Sequence, residues 1–268
     1  MDTPKAYFDH RAGRYWADLY GGTATNHYQL LLRRRRELIE EMLNGLQGPS
    51  LELGCGPGVF VEALARLGSV FVGDISFNMV REARQRTAGR NTAAQLSAGA
   101  LPFRAAAFNV ITVAGVLEYV EDEDASLREI HRVLAPDGVA ILTFPARKAF
   151  EHGLRRVIAP ARDAVNRLRR RGPIRPGRVT PRLEREHTFG ETCRILERAG
   201  FRIEASRAFH YFYFPWNRVF FAASCALDRA LGRAEAVVPS IALGAQSWIF
   251  RVRRSPAVAA RPSSGRTP

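Results

Sequence analysis

The stretch LELGCGPG, residues 51–58, is the strongest structural signal in this chain. An apolar strand ends there at a glycine-rich turn, and a helical segment starts directly after it. Glycine lets the backbone approach a ligand closely because it has no Cβ, and a helix N-terminus offers free N–H groups. Asp74 follows in the next apolar run, VFVGDIS (70–76), about 20 residues on, the spacing of a carboxylate that reads a ribose. Together these features predict a nucleoside-containing cofactor across the ends of the first two strands.

The order of the glycines distinguishes two classes of cofactor. Dinucleotide-binding turns read G-x-G-x-x-G, whereas residues 54–58 read G-x-G-x-G, with Glu52 before them. This turn is similar to motif I of the class I S-adenosylmethionine (SAM) dependent methyltransferases, of the small-molecule type. The resemblance continues, in order and spacing, in ALPF (100–103), FNVITVAGVLEYV (108–120), SLREIHRVLAPDGVAILTFP (126–145) and HTFGETCRILERAGF (187–201). It covers residues 5–145 and 187–206.

The apolar pattern predicts a single α/β domain. Residues 5–46 read as helices, and strands then alternate with helical stretches, which indicates a parallel sheet. The expected strands lie near 50–53, 69–74, 92–97, 109–114, 138–144, 201–207 and 246–253. The resemblance implies a Rossmann-like, seven-stranded, mostly parallel sheet with helices on both faces and a helical cap.

We expect this methyltransferase-like domain to occupy residues 1–254, followed by a disordered Pro/Ser/Arg-rich tail at 255–268. Two insertions, 146–186 and 208–244, depart from a minimal domain and would form the cap near the substrate end. The first carries an apolar helical stripe surrounded by arginines, and the second opens with the aromatic run FHYFYFPWNRVFF.

Composition limits the protein class. The net charge of +14 is uneven, because residues 147–186 hold thirteen Lys/Arg against four Asp/Glu. The three cysteines are far apart and fit no metal spacing, so we predict no metal site. Residues 1–30 lack the apolar region of a signal peptide, and no stretch gives the ~18 uninterrupted apolar residues of a membrane span. We expect a cytoplasmic protein, with peripheral contact to the anionic inner membrane face as an alternative.

The resemblance also implies a set of cofactor-binding residues. The glycine turn would wrap the methionine end and ribose through its backbone, and Asp74 would accept hydrogen bonds from the ribose hydroxyls. Its alternative role is a helix N-cap. Glu52 would either order the turn or meet the methionine ammonium through water, and Met79 would either cover the adenine or pack in the core. The full set is Glu52, Gly54, Cys55, Gly56, Gly58, Asp74, Ile75, Met79, Ser97, Ala98, Ala114, Gly115 and Tyr15.

Two departures from the family pattern affect the expected site. Ser97 stands where the family often carries an aspartate that meets the adenine amino group, so a charge-assisted bond is lost. Many small-molecule O-methyltransferases of this kind read L-E-H-V after strand four, but residues 117–120 read L-E-Y-V. A phenol with a pKa of about 10 is a poor base unless perturbed. The candidate catalytic residues are His187, Tyr119 and Glu118, with a helix-start role open for His187 and pocket shaping for the other two. His152 and His210 lie in the insertions and could face a substrate.

The acceptor class follows partly by exclusion. Methyltransferases of exocyclic base amines carry [D/N]-P-P-[Y/F] after strand four, but residues 114–117 read AGVL, and no cysteine follows a proline. Nucleic acid is therefore a disfavoured partner. We predict SAM-dependent methyl transfer to a small lipophilic or anionic molecule, to oxygen in preference to nitrogen or carbon. The alternatives are an RNA methyltransferase that uses the Arg-rich insertion, and a non-catalytic SAM-binding or membrane-surface protein.

Overall fold

A computed structural model describes residues 3–89, 91–147, 160, 185–211, 221–234 and 245–255 of the chain. In this part of the chain one sheet is formed by β1 (Ser50–Leu53), β2 (Val70–Asp74), β3 (Thr92–Gln95), β4 (Phe108–Val113), β5 (Leu134–Pro145), β6 (Phe201–Phe209) and β7 (Ser247–Arg254). The helices are α1 (Pro4–Leu19), α2 (His27–Leu43), α3 (Val61–Ala65), α4 (Phe77–Arg86), α5 (Glu123–Val133), α6 (Phe189–Arg198) and α7 (Phe221–Ala234).

The strands follow the order β3-β2-β1-β4-β5-β7-β6, and only β7 runs antiparallel to its neighbours. The chain fills one half of the sheet with β1, β2 and β3, then returns to the other side of β1 to place β4 and β5. Ligands of open α/β sheets bind outside the carboxyl ends of the strands at such a switch point. The structure confirms the predicted seven-stranded, mostly parallel sheet.

Hydrophobic clusters cover both faces of the sheet. In β5, Ala140, Leu142 and Phe144 belong to one cluster, whereas Val139 and Ile141 belong to the other, as expected from the alternation of side chains along a strand. The first cluster also contains buried side chains of α5 and α6, and the second contains those of α2 and α3. Helices on both faces are therefore confirmed.

Strand β5 begins at Leu134, four residues earlier than the sequence pattern predicted. Leu134 already pairs with Phe108 of β4, and the register then shifts before Val139 pairs with Val110. The Pro-Asp-Gly sequence at 136–138, which reaches only the first residue of the expected strand, is an irregularity within the observed strand.

Parts of the predicted cap lie outside the described residues. They include the arginine-surrounded stripe of the first insertion, most of the aromatic run of the second, and residues 256–268 of the predicted tail. Helix α7 lies within the second insertion, between β6 and β7. In the described part of the chain, no helix has both the length and the apolar character needed to cross a membrane.

Candidate cofactor and acceptor site

The glycine turn lies at the carboxyl end of β1 and has a backbone that favours glycine. Gly54, Gly56 and Gly58 have φ angles of 71°, 50° and 79°, in the left-handed region that side chains disfavour. A Cβ on Gly54 would lie 2.0 Å from Val116 Cγ2, whereas a Cβ on Gly56 would meet no protein atom within 4 Å. The turn is therefore closely packed against the loop after β4 at Gly54 and open at Gly56, where a ligand can approach the backbone.

Asp74, at the end of β2, connects two neighbouring turns. Its Oδ2 accepts a hydrogen bond from Gly56 N at 2.9 Å, and its Oδ1 accepts one from Ser76 N at 2.9 Å. Burial raises the pKa of Asp74 to about 6, while these backbone bonds act in the opposite direction. The N-cap of α4 is Ser76, whose hydroxyl accepts from Met79 N, so the alternative role of Asp74 as a cap is wrong. Each carboxylate oxygen keeps lone-pair capacity for a further donor such as a ribose hydroxyl.

Glu52 holds the other end of the glycine turn. Its Oε1 accepts a hydrogen bond from Phe60 N at 3.1 Å, directly before α3, so Glu52 does order the turn. Burial raises the pKa of Glu52 to about 8. Its Oε2 is shielded from solvent and has no hydrogen-bond partner among the described residues. The contact with a methionine ammonium remains a prediction.

Arg86 of α4 clamps the turn from outside. Its Nε donates to Pro57 O at 2.9 Å and its Nη2 donates to Gly58 O at 2.7 Å. The guanidinium also lies 3.4 Å from the centre of the Trp16 ring, which is a cation–π contact. Arg86 was not predicted as a site residue, because nothing in its local sequence shows which carbonyl groups the side chain of an arginine in a helix will reach.

Helix α1 is attached to the same region by a second contact. Asp9 Oδ1 accepts from Ser76 Oγ at 2.6 Å and from Asn78 N at 3.3 Å, at the start of α4. The ring of Phe8 contacts Tyr15 on its own helix and Tyr119 in the loop after β4, with centroid distances of 6.2 and 5.7 Å. Helix α1 therefore joins the start of α4 to the loop after β4, and it places Tyr15 close to that loop.

The other predicted cofactor residues differ in exposure. Ile75 is 41% exposed beside Asp74, and Ser97 is exposed, with Oγ accepting a 3.4 Å bond from Gly99 N. Cys55, Met79 and Ala98 are buried, and Ala114 and Gly115 are partly buried after β4.

Burial also raises the pKa of the Cys55 thiol, which makes it unreactive. Ile75 and Ser97 offer accessible surface to an adenine, whereas Met79 already packs in the core.

The loop after β4 carries two of the candidate catalytic residues. Burial raises the pKa of Glu118 to about 7, against the opposing effect of Arg35. Glu118 Oε2 is shielded from solvent and has no hydrogen-bond partner in the described part of the chain. Burial and the neighbouring Glu118 raise the pKa of Tyr119 further above 10, so this phenol cannot act as a base near neutral pH.

His187 lies after the first insertion and beside the end of β5. It forms a parallel bridge with Ala146, and its Nε2 lies 3.0 Å from Glu123 Oε2 at the start of α5. It directly precedes Thr188, the N-cap of α6, in agreement with its alternative role at a helix start. Glu123 also acts electrostatically on Glu118, so the two candidate bases lie in one region.

The sequence also offered two further histidines, His210 and His152. His210 is buried after the end of β6, has a φ angle of 62°, and accepts a backbone bond from Gln246 N. His152 lies outside the described residues.

Comparison with known proteins identifies the centre of the chain. Residues 51–142 match the family model described as a methyltransferase domain. The chain carries a class I SAM-dependent methyltransferase domain. It is 34% identical over 147 residues to a ubiquinone/menaquinone biosynthesis C-methyltransferase, UbiE, of Desulfotalea psychrophila, which covers 53% of this chain and 58% of that protein. The UbiE of Xylella fastidiosa strain M23 is 40% identical over 85 residues, 30% of this chain and 34% of that protein. The chain thus spans little more than half of the first relative's length and a third of the second's.

Solved structures share this fold. A magnesium protoporphyrin IX methyltransferase from Synechocystis PCC 6803 with bound S-adenosylhomocysteine (SAH) has a TM-score of 0.62 at 18% identity, covering 94% of this chain and 98% of that one. The cyclase SpnF also has a TM-score of 0.62, at 20% identity, covering 95% and 97%. Since one of these proteins is named for cyclisation, the shared fold alone does not fix the reaction.

SAM is the cofactor of this domain family, and the described residues fit it. The methyltransferase domain presents an open backbone at Gly56, free acceptor capacity on Asp74 and an exposed apolar side chain at Ile75. Among the residues that the structure describes, no group of three or more His, Cys, Asp or Glu side chains could hold a metal ion.

Proposed function

We propose that this protein is a SAM-dependent methyltransferase that methylates a ring carbon of a reduced, quinone-like aromatic molecule. The observation that carries the proposal is the Oε2 atom of Glu118, which is shielded and has no hydrogen-bond partner among the described residues, in the loop that packs against the glycine turn through Val116 and Gly54. The named activity of the UbiE relatives supports carbon as the acceptor atom and a small molecule as the acceptor. Transfer to oxygen, which we expected from the sequence, has no such support.

The chemistry of carbon methylation requires a proton acceptor close to the transferred methyl. SAM supplies an electrophilic methyl group on its sulfonium. A ring hydroxyl that loses its proton makes the adjacent ring carbon a nucleophile, and a carboxylate with a pKa of about 7 is suited to take that proton at neutral pH. After the carbon–methyl bond forms, the ring carbon loses its own proton to water, which restores the aromatic ring.

Two other candidate residues have narrower roles in this proposal. Tyr119 stays protonated, so it can donate a hydrogen bond to the acceptor but cannot take its proton. His187 is paired with Glu123 and is the second candidate base, because that carboxylate can hold one imidazole tautomer. Peripheral membrane contact remains a prediction, because the Arg-rich stripe on which it depends lies outside the described residues.

The cofactor part of the proposal is tested by titrating SAH into the purified protein by calorimetry. We expect binding that Asp74→Ala weakens by about 1–3 kcal/mol, as for lost hydrogen bonds to a charged group. Asp18→Ala, at an exposed position on α1, is the matched control and should bind as the wild type does. A wild-type protein that is folded and does not bind SAH would overturn the proposal.

The reaction is tested by incubation with labelled SAM and a short-chain naphthoquinol that lacks its ring methyl. Mass spectrometry of the product distinguishes a ring methyl, which resists acid cleavage, from a methyl ether. A ring methyl is the expected product. An ether would restore the oxygen prediction, and methylation of RNA instead of the quinol would favour the alternative that uses the Arg-rich insertion.

A further inference from the structure

Four consecutive arginines in α2, Arg33–Arg36, have different environments. Arg34 pairs with Glu37 at 3.0 Å and Arg36 pairs with Glu40 at 2.7 Å, both along the helix surface. Arg33 donates to the backbone carbonyls of Gly21 and Gly22. Neither Arg33 nor Arg35 has a carboxylate within 4.0 Å in the described part of the chain, but Arg35 donates to a tyrosine hydroxyl, whereas Arg33 donates to two backbone carbonyls.

The polar contacts of Arg35 are few for a guanidinium, which has five N–H donors. Its Nη2 donates to the hydroxyl of Tyr20 at 3.4 Å, a long hydrogen bond to a neutral group. Its Nε is shielded from solvent and has no hydrogen-bond partner among the described residues. A shielded charge without a counter-ion is costly, and an anion is the usual compensation.

The position of this guanidinium links it to the reaction site. A Cβ built on Gly115 would lie 2.6 Å from Arg35 Nη1, so the arginine lies directly over the backbone after β4. Gly115 has a φ angle of 77° and its N–H donates to Thr143 Oγ1 of β5 at 2.8 Å, which fixes that backbone. The glycine provides the space that the guanidinium occupies.

The surroundings of Arg35 are aromatic. Tyr15, Tyr20 and Tyr28 all act on it electrostatically, and Tyr15 and Tyr28 are partly buried. Burial raises the pKa of Tyr28 to about 12 and raises the pKa of Tyr15 as well, so these two phenols remain neutral and do not supply the missing negative charge. Glu118 acts electrostatically with Arg35 but forms no ion pair with it in the described part of the chain.

We propose that Arg35 is the anion-binding residue of the acceptor site and holds the ionised ring oxygen, a phenolate or enolate, beside Gly115. The inference rests on the proposed function, since it names how that same site recognises its acceptor. Glu118 takes the proton from the ring hydroxyl, and Arg35 stabilises the resulting oxyanion by charge-assisted hydrogen bonds. The tyrosines provide aromatic walls for a flat ring. Arg35 is therefore a specificity-determining residue, which selects acidic aromatic rings over neutral rings of the same shape.

The test compares two rings that differ in charge. Lawsone is a hydroxynaphthoquinone and an enolate at neutral pH, whereas its methyl ether is neutral and has the same ring system. Binding of both is measured in the presence of saturating SAH, on the full-length wild type, Arg35→Gln and Arg34→Gln. SAH affinity is measured separately for each protein, so a failure of the proposed cofactor site is recognised independently of the acceptor result.

We expect the wild type to bind lawsone about tenfold or more tightly than the ether, as for a charge-assisted bond. Arg35→Gln should lose this preference while its affinities for SAH and the ether stay unchanged, and Arg34→Gln should retain it. Equal wild-type affinity for the two rings, binding of neither ring, or an undiminished preference in Arg35→Gln would each overturn the inference. If Arg35→Gln does not fold, the affinities of the wild type for lawsone and for its methyl ether still test the inference.

Discussion

The cofactor half of the site, residues 52–60 and 73–79, differs from its acceptor half, formed by Arg35, residues 114–123 and His187. In the cofactor half, carboxylates accept backbone N–H groups, as Asp74 does from Gly56 and Ser76. In the acceptor half, Arg35 Nε and Glu118 Oε2 are shielded and unpartnered among the described residues. In the cofactor half Glu52 Oε2 is also unpartnered, but Glu52 Oε1 and both oxygens of Asp74 accept backbone bonds. The acceptor half has no such backbone bonds to its two unpartnered atoms in the described part of the chain, and it leaves their capacity for a ligand.

The largest expected effect concerns catalysis in the acceptor half. Glu118→Gln should lower kcat with the naphthoquinol acceptor by roughly 10²–10⁴-fold, because a positioned base is lost. SAH affinity should not change, since Glu118 does not contribute to the cofactor half. Glu121→Gln, at an exposed position in the same loop, is the matched control. If His187→Gln had the large effect and Glu118→Gln had none, the histidine would be the base.

The pH profile of the wild type tests the same residue. The pKa of Glu118 is raised to about 7 by burial, and only its ionised form can take a proton. We therefore expect kcat/KM to be low at pH values below about 7 and to rise as the pH increases through that value. A flat profile between about pH 6 and about pH 8 would contradict the role of Glu118.

The next effect separates backbone strain from cofactor exclusion. Gly56→Ala and Gly45→Ala both introduce a Cβ at a positive φ, of 50° and 78°, and neither Cβ meets a protein atom within 4 Å. Both should lose about 1 kcal/mol of unfolding free energy. Only Gly56→Ala should also abolish or greatly weaken SAH binding in calorimetry, because its methyl would enter the cofactor space. Equal SAH affinities in the two variants would show that the open space at Gly56 is not used.

A smaller effect concerns stability in the cofactor half. Burial raises the pKa of Glu52 from its usual 4.5 to about 8, so its contribution to stability is fully present below about pH 4.5 and is lost as the pH rises through about 8. Glu52→Gln keeps an acceptor for Phe60 N but cannot ionise. Relative to the wild type, the variant should gain on the order of 1–3 kcal/mol of unfolding free energy between about pH 5 and about pH 8. Urea denaturation of both proteins at each of the two pH values measures this difference. If the unfolding free energies of the wild type and of Glu52→Gln depended on pH in the same way, the raised pKa of Glu52 would be contradicted.

The smallest effect concerns the attachment of α1. Trp16→Leu removes the ring beneath the Arg86 guanidinium, which should cost about 1 kcal/mol of unfolding free energy. Since Arg86 also holds the glycine turn, SAH affinity should fall slightly. Trp16→Phe keeps a ring face and should lose less in both measurements. An equal loss in the two variants would show that packing, and not the cation–π contact, attaches the helix.

Short segments of the chain carry most of the signal for the sheet. The seven strands were predicted to within a few residues, apart from the start of β5, because apolar runs and glycine turns are local properties. The beginning of β5 was wrong because the pairing of Leu134 with Phe108 depends on a neighbouring strand. The two possible roles of Asp74 could be separated only once Ser76 was seen to cap α4.

The sequence by itself determined the sheet, the glycine turn and the carboxylate at the end of β2, because each depends on residues close together in the chain. Only the tertiary structure decided that Arg35 lies over Gly115 and that Arg86 reaches the carbonyls of the glycine turn. An arginine in a basic helix looks the same in sequence whether it pairs with the next turn or remains unpaired. Its role depends on which distant backbone it meets, and that is fixed by the packing of α2 and α4 against the sheet.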